Sequence, residues 1–99
     1  MRNLILILAG LFLLVVPSLA FTVHVVDENT GHSVSVARVE IWQGGEMLAW
    51  GYTDNSGNYR YGLGVEGTKY LIKASSYNEY GSGSIVVDPY TNSVTVGIS

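Results

Sequence analysis

From Phe21 onward, apolar residues recur at every second position in short runs. They are Phe21, Val23 and Val25; Ala37, Val39 and Ile41; Tyr59, Tyr61 and Leu63; Tyr70, Ile72 and Ala74; and Val94, Val96 and Ile98. A period of two marks a strand with one buried face, and no run repeats with a helical period. Clusters of Gly, Asn, Asp, Ser and Pro separate the runs at roughly 8–12-residue intervals, the spacing of an antiparallel sandwich. Strands are expected at 21–27, 33–42, between Gly45 and Thr53, and at 58–63, 69–75, 84–87 and 93–98, which makes seven. A polar loop is expected over 76–83, and Asp88-Pro89-Tyr90-Thr91-Asn92 separates the last two strands.

The stretch Gly51–Leu63 organises the rest. Its turn, Thr53-Asp54-Asn55-Ser56-Gly57, joins two aromatic-bearing runs. Asp54 is suited to accept hydrogen bonds from backbone N–H groups two residues on, and Gly57 to supply a positive φ, so both are assigned as structural turn residues. Gly44-Gly45 reads as a two-residue hairpin turn. Centred there, the register pairs Ile41 with Leu48, Val39 with Trp50 and Ala37 with Tyr52, so Trp50 and Tyr52 are expected in the core with Tyr59, Tyr61, Leu63 and Tyr70.

The N-terminus sets the destination. Met1-Arg2-Asn3 is positive, Leu4–Val16 is apolar, and Ser18 and Ala20 are small. Together they read as a hydrophobic signal helix, residues 1–20, with cleavage between Ala20 and Phe21. The alternative is a membrane anchor, but Leu4–Val16 is shorter than the ~20 residues that span a bilayer. Residues 21–99 are then a single secreted or cell-surface domain. Membrane contact is expected only if residues 4–16 are retained.

Charge and composition narrow the partners. After residue 20, Arg38, Arg60, Lys69 and Lys73 stand against eight acids, a formal charge of −4. Without a basic cluster, nucleic acid is an unsuitable partner. There is no cysteine, so packing, a bound ion or association must do the work of disulfides.

The succession Val23-x-Val25-x-Asp27-x-x-Thr30-Gly31, Val36-Ala37-x-Val39-x-Ile41, Thr53-Asp54-x-x-Gly57-x-Tyr59-x-Tyr61, Tyr70-x-Ile72-x-Ala74 and Val94-x-Val96-x-Ile98 resembles the carboxypeptidase regulatory-like domains, also called transthyretin-like or prealbumin-like. The likeness spans nearly all of 21–99. His32-Ser33 stands where the family commonly has a proline, and Ser76-Tyr77 where a glycine-tyrosine pair is expected. The resemblance implies a seven-stranded antiparallel Greek-key sandwich of Ig-like or prealbumin-like form. It also implies a non-catalytic unit of exported or surface proteins, with no cofactor.

No catalytic residue is assigned. One branch of that superfamily hydrolyses hydroxyisourate with a histidine-arginine constellation and a C-terminal Tyr-Arg-Gly-Ser motif; here the chain ends Thr95-Val96-Gly97-Ile98-Ser99. His24 and His32 read as solvated histidines without an orienting partner, and Gly81-Ser82-Gly83-Ser84 is not a nucleophile elbow. Asp54, Ser56 and Asn58 offer oxygens at alternate positions, but calcium takes about six to eight, usually with several carboxylates, so no metal site is assigned. Trp42, Tyr77, Tyr80 and Tyr90 fall outside the expected core and are the candidate contacts for a surface protein or a glycan. Self-assembly by strand addition is a further reading, motivated by Phe21–Val26 and Val94–Ile98, which carry few charges to block edge pairing.

Overall fold

The computed structural model describes residues 18–99, so the expected signal helix up to residue 17, with its apolar segment 4–16, lies outside the described residues. The described chain is all β, without a helix. Its strands are β1 (Leu19–Asp27), β2 (Arg38–Gln43), β3 (Glu46–Tyr52), β4 (Asn58–Gly64), β5 (Lys69–Ser76), β6 (Glu79–Val86) and β7 (Ser93–Ile98). They form a three-stranded sheet in the order β4-β1-β7 and a four-stranded sheet in the order β3-β2-β5-β6. The expected strand 21–27 therefore begins two residues earlier. Leu19 and Ala20 belong to β1, and Leu19 packs against the core.

The alternating residues of β1, β2, β5 and β7 meet between the sheets, where Val23, Val25, Val39, Ile41, Ile72 and Ile98 are fully buried. Each such side chain contributes about 1.5–3 kcal/mol of burial. Phe21, Tyr61 and Tyr70 close one end as a ring cluster with centroids 5.4, 5.5 and 5.9 Å apart. The Tyr70 hydroxyl accepts the Val65 N–H at 2.9 Å, so its polar tip is satisfied. Burial pushes the Tyr61 hydroxyl pKa up.

The sandwich is not wholly antiparallel. β7 runs parallel to β1, which places β1 centrally in its sheet and removes Phe21–Val26 as an assembling edge. At the far end β7 meets β6, where Tyr80 and Ser99 exchange backbone hydrogen bonds of 3.2 Å in both directions. Gly81 allows this approach, because a Cβ there would overlap the Gly97 carbonyl oxygen. Apart from this terminal pair β6 and β7 remain edge strands, as β3 and β4 are, so Val94–Ile98 keeps an open edge along most of its length.

The β2–β3 register departs from the sequence expectation. Next to the Gly44-Gly45 turn, where both glycines have positive φ, Gln43 pairs with Glu46 and Trp42 with Met47, as the turn dictates. A bulge at Leu48 then shifts the ladder, so that Ile41 faces Ala49, Val39 faces Gly51, and Trp50 and Tyr52 turn outward. They are 51% and 56% exposed and are not core residues. The space they were expected to fill belongs to Tyr59: a Cβ at Gly51 would overlap its ring.

Three other expectations fail for similar local reasons. Strand β2 begins at Arg38 rather than residue 33, because Ser33 makes only an isolated bridge to Val26 and the chain crosses between sheets at Val36. The loop expected over 76–83 is mostly strand; the turn is Tyr77-Asn78, and β6 starts at Glu79. Leu63 is exposed because a register shift in the β1–β4 ladder aligns Gly64 with Leu19, whose carbonyl oxygen leaves no room for a Cβ at position 64.

Candidate functional site

The outer face of the four-stranded sheet carries the most concentrated side-chain chemistry. Cross-strand pairing sets Tyr52 beside Arg38, Trp50 beside Glu40 and Met47 beside Trp42, with Ser75, Lys73 and Leu71 of β5 next in each row. These side chains form a continuous ladder. The Tyr52 and Trp50 rings meet edge to face at 5.8 Å. The Arg38 guanidinium lies 4.4 Å from the Trp50 ring centre, and its Nε donates to Glu40 Oε2 at 3.0 Å. Trp42 Nε1 donates to Glu40 Oε1 at 2.9 Å, and Lys73 Nζ lies 4.4 Å over the Trp42 ring.

Glu40 is the hinge of this arrangement, since its two oxygens hold two different residues. The Trp42 indole N–H, and then the Arg38 guanidinium, keep its carboxyl below the ordinary value of 4.5. Each cation–π contact contributes about 0.5–1 kcal/mol at such an exposed site, and the ion pair about 0.2–1. Those amounts do little for stability, but they fix the rings in place, and rings already ordered lower the cost of any binding there.

At the Tyr52 and Arg38 end the ladder runs into a cleft of about 840 Å³, also bordered by Ser33, Val36, Ser76 and Tyr77. Val36 and Tyr77 both carry left-handed φ angles, 56° and 54°, and both are exposed. Such a conformation costs a non-glycine residue roughly 1–2 kcal/mol, and strained residues gather where a chain must present a surface. Tyr77 occupies the first position of a two-residue turn, where glycine is usual, and is 101% exposed.

The four sequence candidates do not form one site. Trp42 and Tyr80 lie on this face, Tyr80 on β6 rather than in a loop, and Tyr77 stands at the cleft. Tyr90, 95% exposed, lies apart in the β6–β7 turn. The unforeseen members are Trp50, Tyr52, Arg38 and Glu40. The alternation of Arg38, Glu40 and Trp42 on one face of β2 was the available signal; the bulge that delivers Trp50 and Tyr52 left none.

The other outer face holds a second constellation. His24 Nδ1 lies 2.7 Å from Asn58 Oδ1, and Ser33 Oγ 3.1 Å from His24 Nε2. His24 therefore has the orienting partner that its sequence context did not suggest. With Nδ1–H donated to Asn58, Nε2 accepts the Ser33 hydroxyl, the order found in activated serines. Ser33 is exposed, however, and water there screens the dipoles that an acyl-transfer site keeps dry. The chain of bonds pins the 33-segment to β1 and β4.

In the central turn, Asp54 Oδ1 accepts the N–H groups of Ser56 and Asn58 at 2.9 and 3.0 Å. Gly57 has φ 80°, and a Cβ on it would stand 3.0 Å from the Val25 carbonyl oxygen. Thr53, buried behind them, donates to the Val34 carbonyl at 2.7 Å and accepts the Ala37 N–H at 2.9 Å. Among the described residues no three His, Asp or Glu side chains converge as a metal set. Compared with models of protein families and with curated proteins, the chain matches none.

Proposed function

We propose that this chain is an exported, non-catalytic recognition module that acts at the cell surface. Residues 1–20 are its signal peptide, and 21–99 form a Greek-key sandwich of the carboxypeptidase regulatory-like kind. The order 4-1-7 and 3-2-5-6, in which the chain changes sheet after β1, β3, β4 and β6, supports the Greek-key reading. The observation that carries the functional reading is the ladder Tyr52–Trp50–Arg38–Glu40–Trp42–Lys73: rings held by hydrogen bonds and cations on an open sheet face. Rings fixed in the open, with polar groups between them, suit the flat apolar faces and surrounding hydroxyls of sugars. A glycan is therefore the partner class this face favours, and a protein surface is the second.

The test is retention on cell-envelope material and a glycan array with the wild type and a Trp50→Ala/Tyr52→Ala variant. Binding by the wild type that is lost in the variant supports the reading. Equal binding by both removes the ladder from function. Intact-mass analysis of the exported protein tests cleavage after Ala20. That cut would remove the first two residues of β1.

A further inference from the structure

At one end of the ladder the turn and β5 build a smaller concavity of about 460 Å³, lined by Trp42, Gly44, Gly45, Lys69, Leu71 and Lys73. Leu71, 42% exposed, lies between the two lysines on the same face of β5, and Trp42 is its cross-strand partner. Gly44 and Gly45 have no side chains to obstruct the entrance, and a Cβ on either would meet nothing within 4 Å. The result is an apolar floor and wall between two ammonium groups.

The charge distribution makes this end distinctive. Of the four Lys and Arg residues after residue 20, Arg38, Lys69 and Lys73 all belong to this outer face, in a domain that is otherwise acidic. Glu40, the acid on the same face, already holds Arg38 and Trp42. Glu46, the acid nearest the turn, pairs with Gln43 on the opposite face from Trp42 and Met47. Among the described residues Lys69 has no salt bridge, and Lys73 contacts the ring of Trp42.

We infer that the Trp42–Lys69–Lys73 concavity binds an acidic polysaccharide, its sugar rings lying on Leu71 beside Trp42, whose ring carries the Lys73 ammonium, and its carboxylates on the two lysines. This rests on the glycan reading above and adds the charge of the ligand. Lys69 and Lys73 are four residues apart along a strand, roughly 13 Å between Cα atoms. That spacing fits carboxylates repeated along a polymer rather than one isolated acid, so affinity should rise with chain length.

The experiment is titration of the protein with galacturonic-acid oligomers of increasing length, with the same oligomers as neutral methyl esters, and with a neutral glucan oligomer. The acid oligomers are expected to bind at least about tenfold more tightly than their esters, and to weaken as salt rises from about 50 to 300 mM. Lys69→Gln/Lys73→Gln should abolish the difference between acid and ester. Both lysines are exposed, so an unchanged melting temperature shows that the variant is folded. Esters or glucan binding as well as the acids would overturn the charge inference and leave the glycan reading standing. No binding by any of these sugars, together with an empty glycan array, would overturn both.

Discussion

The two outer faces of this sandwich are built by the same alternation and end up chemically opposite. On the three-stranded sheet, Thr22, His24, Asn58, Arg60 and Thr95 face outward, and their notable contacts are hydrogen bonds among small polar groups. On the four-stranded sheet the outward positions hold Trp42, Trp50, Tyr52 and Tyr80, with Trp42 and Trp50 held by Arg38, Glu40 and Lys73. The first face ties the chain to itself. The second holds large rings in water, which folding alone does not require, and the proposed recognition role rests on that difference.

The largest expected effect abolishes the comparison. Gly81→Ala forces β6 away from the Gly97 carbonyl, where the two sheets join, and should destabilise the domain by about 1–3 kcal/mol in chemical denaturation, disturbing both faces together. Trp50→Ala and Trp42→Ala separate the faces. Each should weaken partner binding by about 2 kcal/mol or more while lowering stability by about 1 kcal/mol or less. Thr22→Ala and Thr95→Ala should leave binding unchanged.

His24→Ala gives the reverse pattern: about 1 kcal/mol of stability lost with its two hydrogen bonds, and binding intact. A serine-directed fluorophosphonate should leave Ser33 unlabelled; labelling that disappears in His24→Ala would contradict the non-catalytic reading. Tyr77→Gly should stabilise by about 0.5–1 kcal/mol by relaxing the left-handed turn. A simultaneous loss of binding would show that the strain presents the ring.

The smallest effect is a pH dependence of the ladder. The Glu40 pKa is lowered in the fold, so its contribution is fully present above the ordinary value of 4.5 and is lost as pH falls below that toward the folded pKa. Acidification through this window should release the Trp42 indole N–H, visible by NMR. Glu40→Gln should make that resonance indifferent to acid, at a stability change under about 1 kcal/mol.

Much of the fold was legible because a period of two carries one bit per residue. In β1, β5 and β7 no bulge interrupts the inward-facing residues, so Val23, Val25, Ile72, Ala74 and Val96 could be placed in the core from the pattern. The β2–β3 hairpin was legible only up to Leu48. Both registers there keep apolar or small residues inward, and the choice depends on the Tyr59 ring, which arrives from another strand. The parallel pairing of β7 with β1 is equally a tertiary outcome, since β-branched alternation reads the same in either direction. For the site, Trp42 was recognisable as an outward ring, and Tyr80 only as a ring outside the core, since the loop expected over 76–83 is strand. The register of the Gly44-Gly45 turn, carried along the hairpin without a bulge, places Trp50 and Tyr52 in the core, and in this sheet small Ala49 and Gly51 take the inward positions instead.

The most direct measurement is backbone and indole NMR shift mapping of the isotopically labelled protein on addition of a galacturonic-acid oligomer. Shifts confined to Trp42, Trp50, Arg38, Lys69, Lys73 and their neighbours on the four-stranded face are the predicted result. Shifts centred on His24, Asn58 and Thr95, or a spectrum unchanged by every sugar that the wild type is offered, would contradict it.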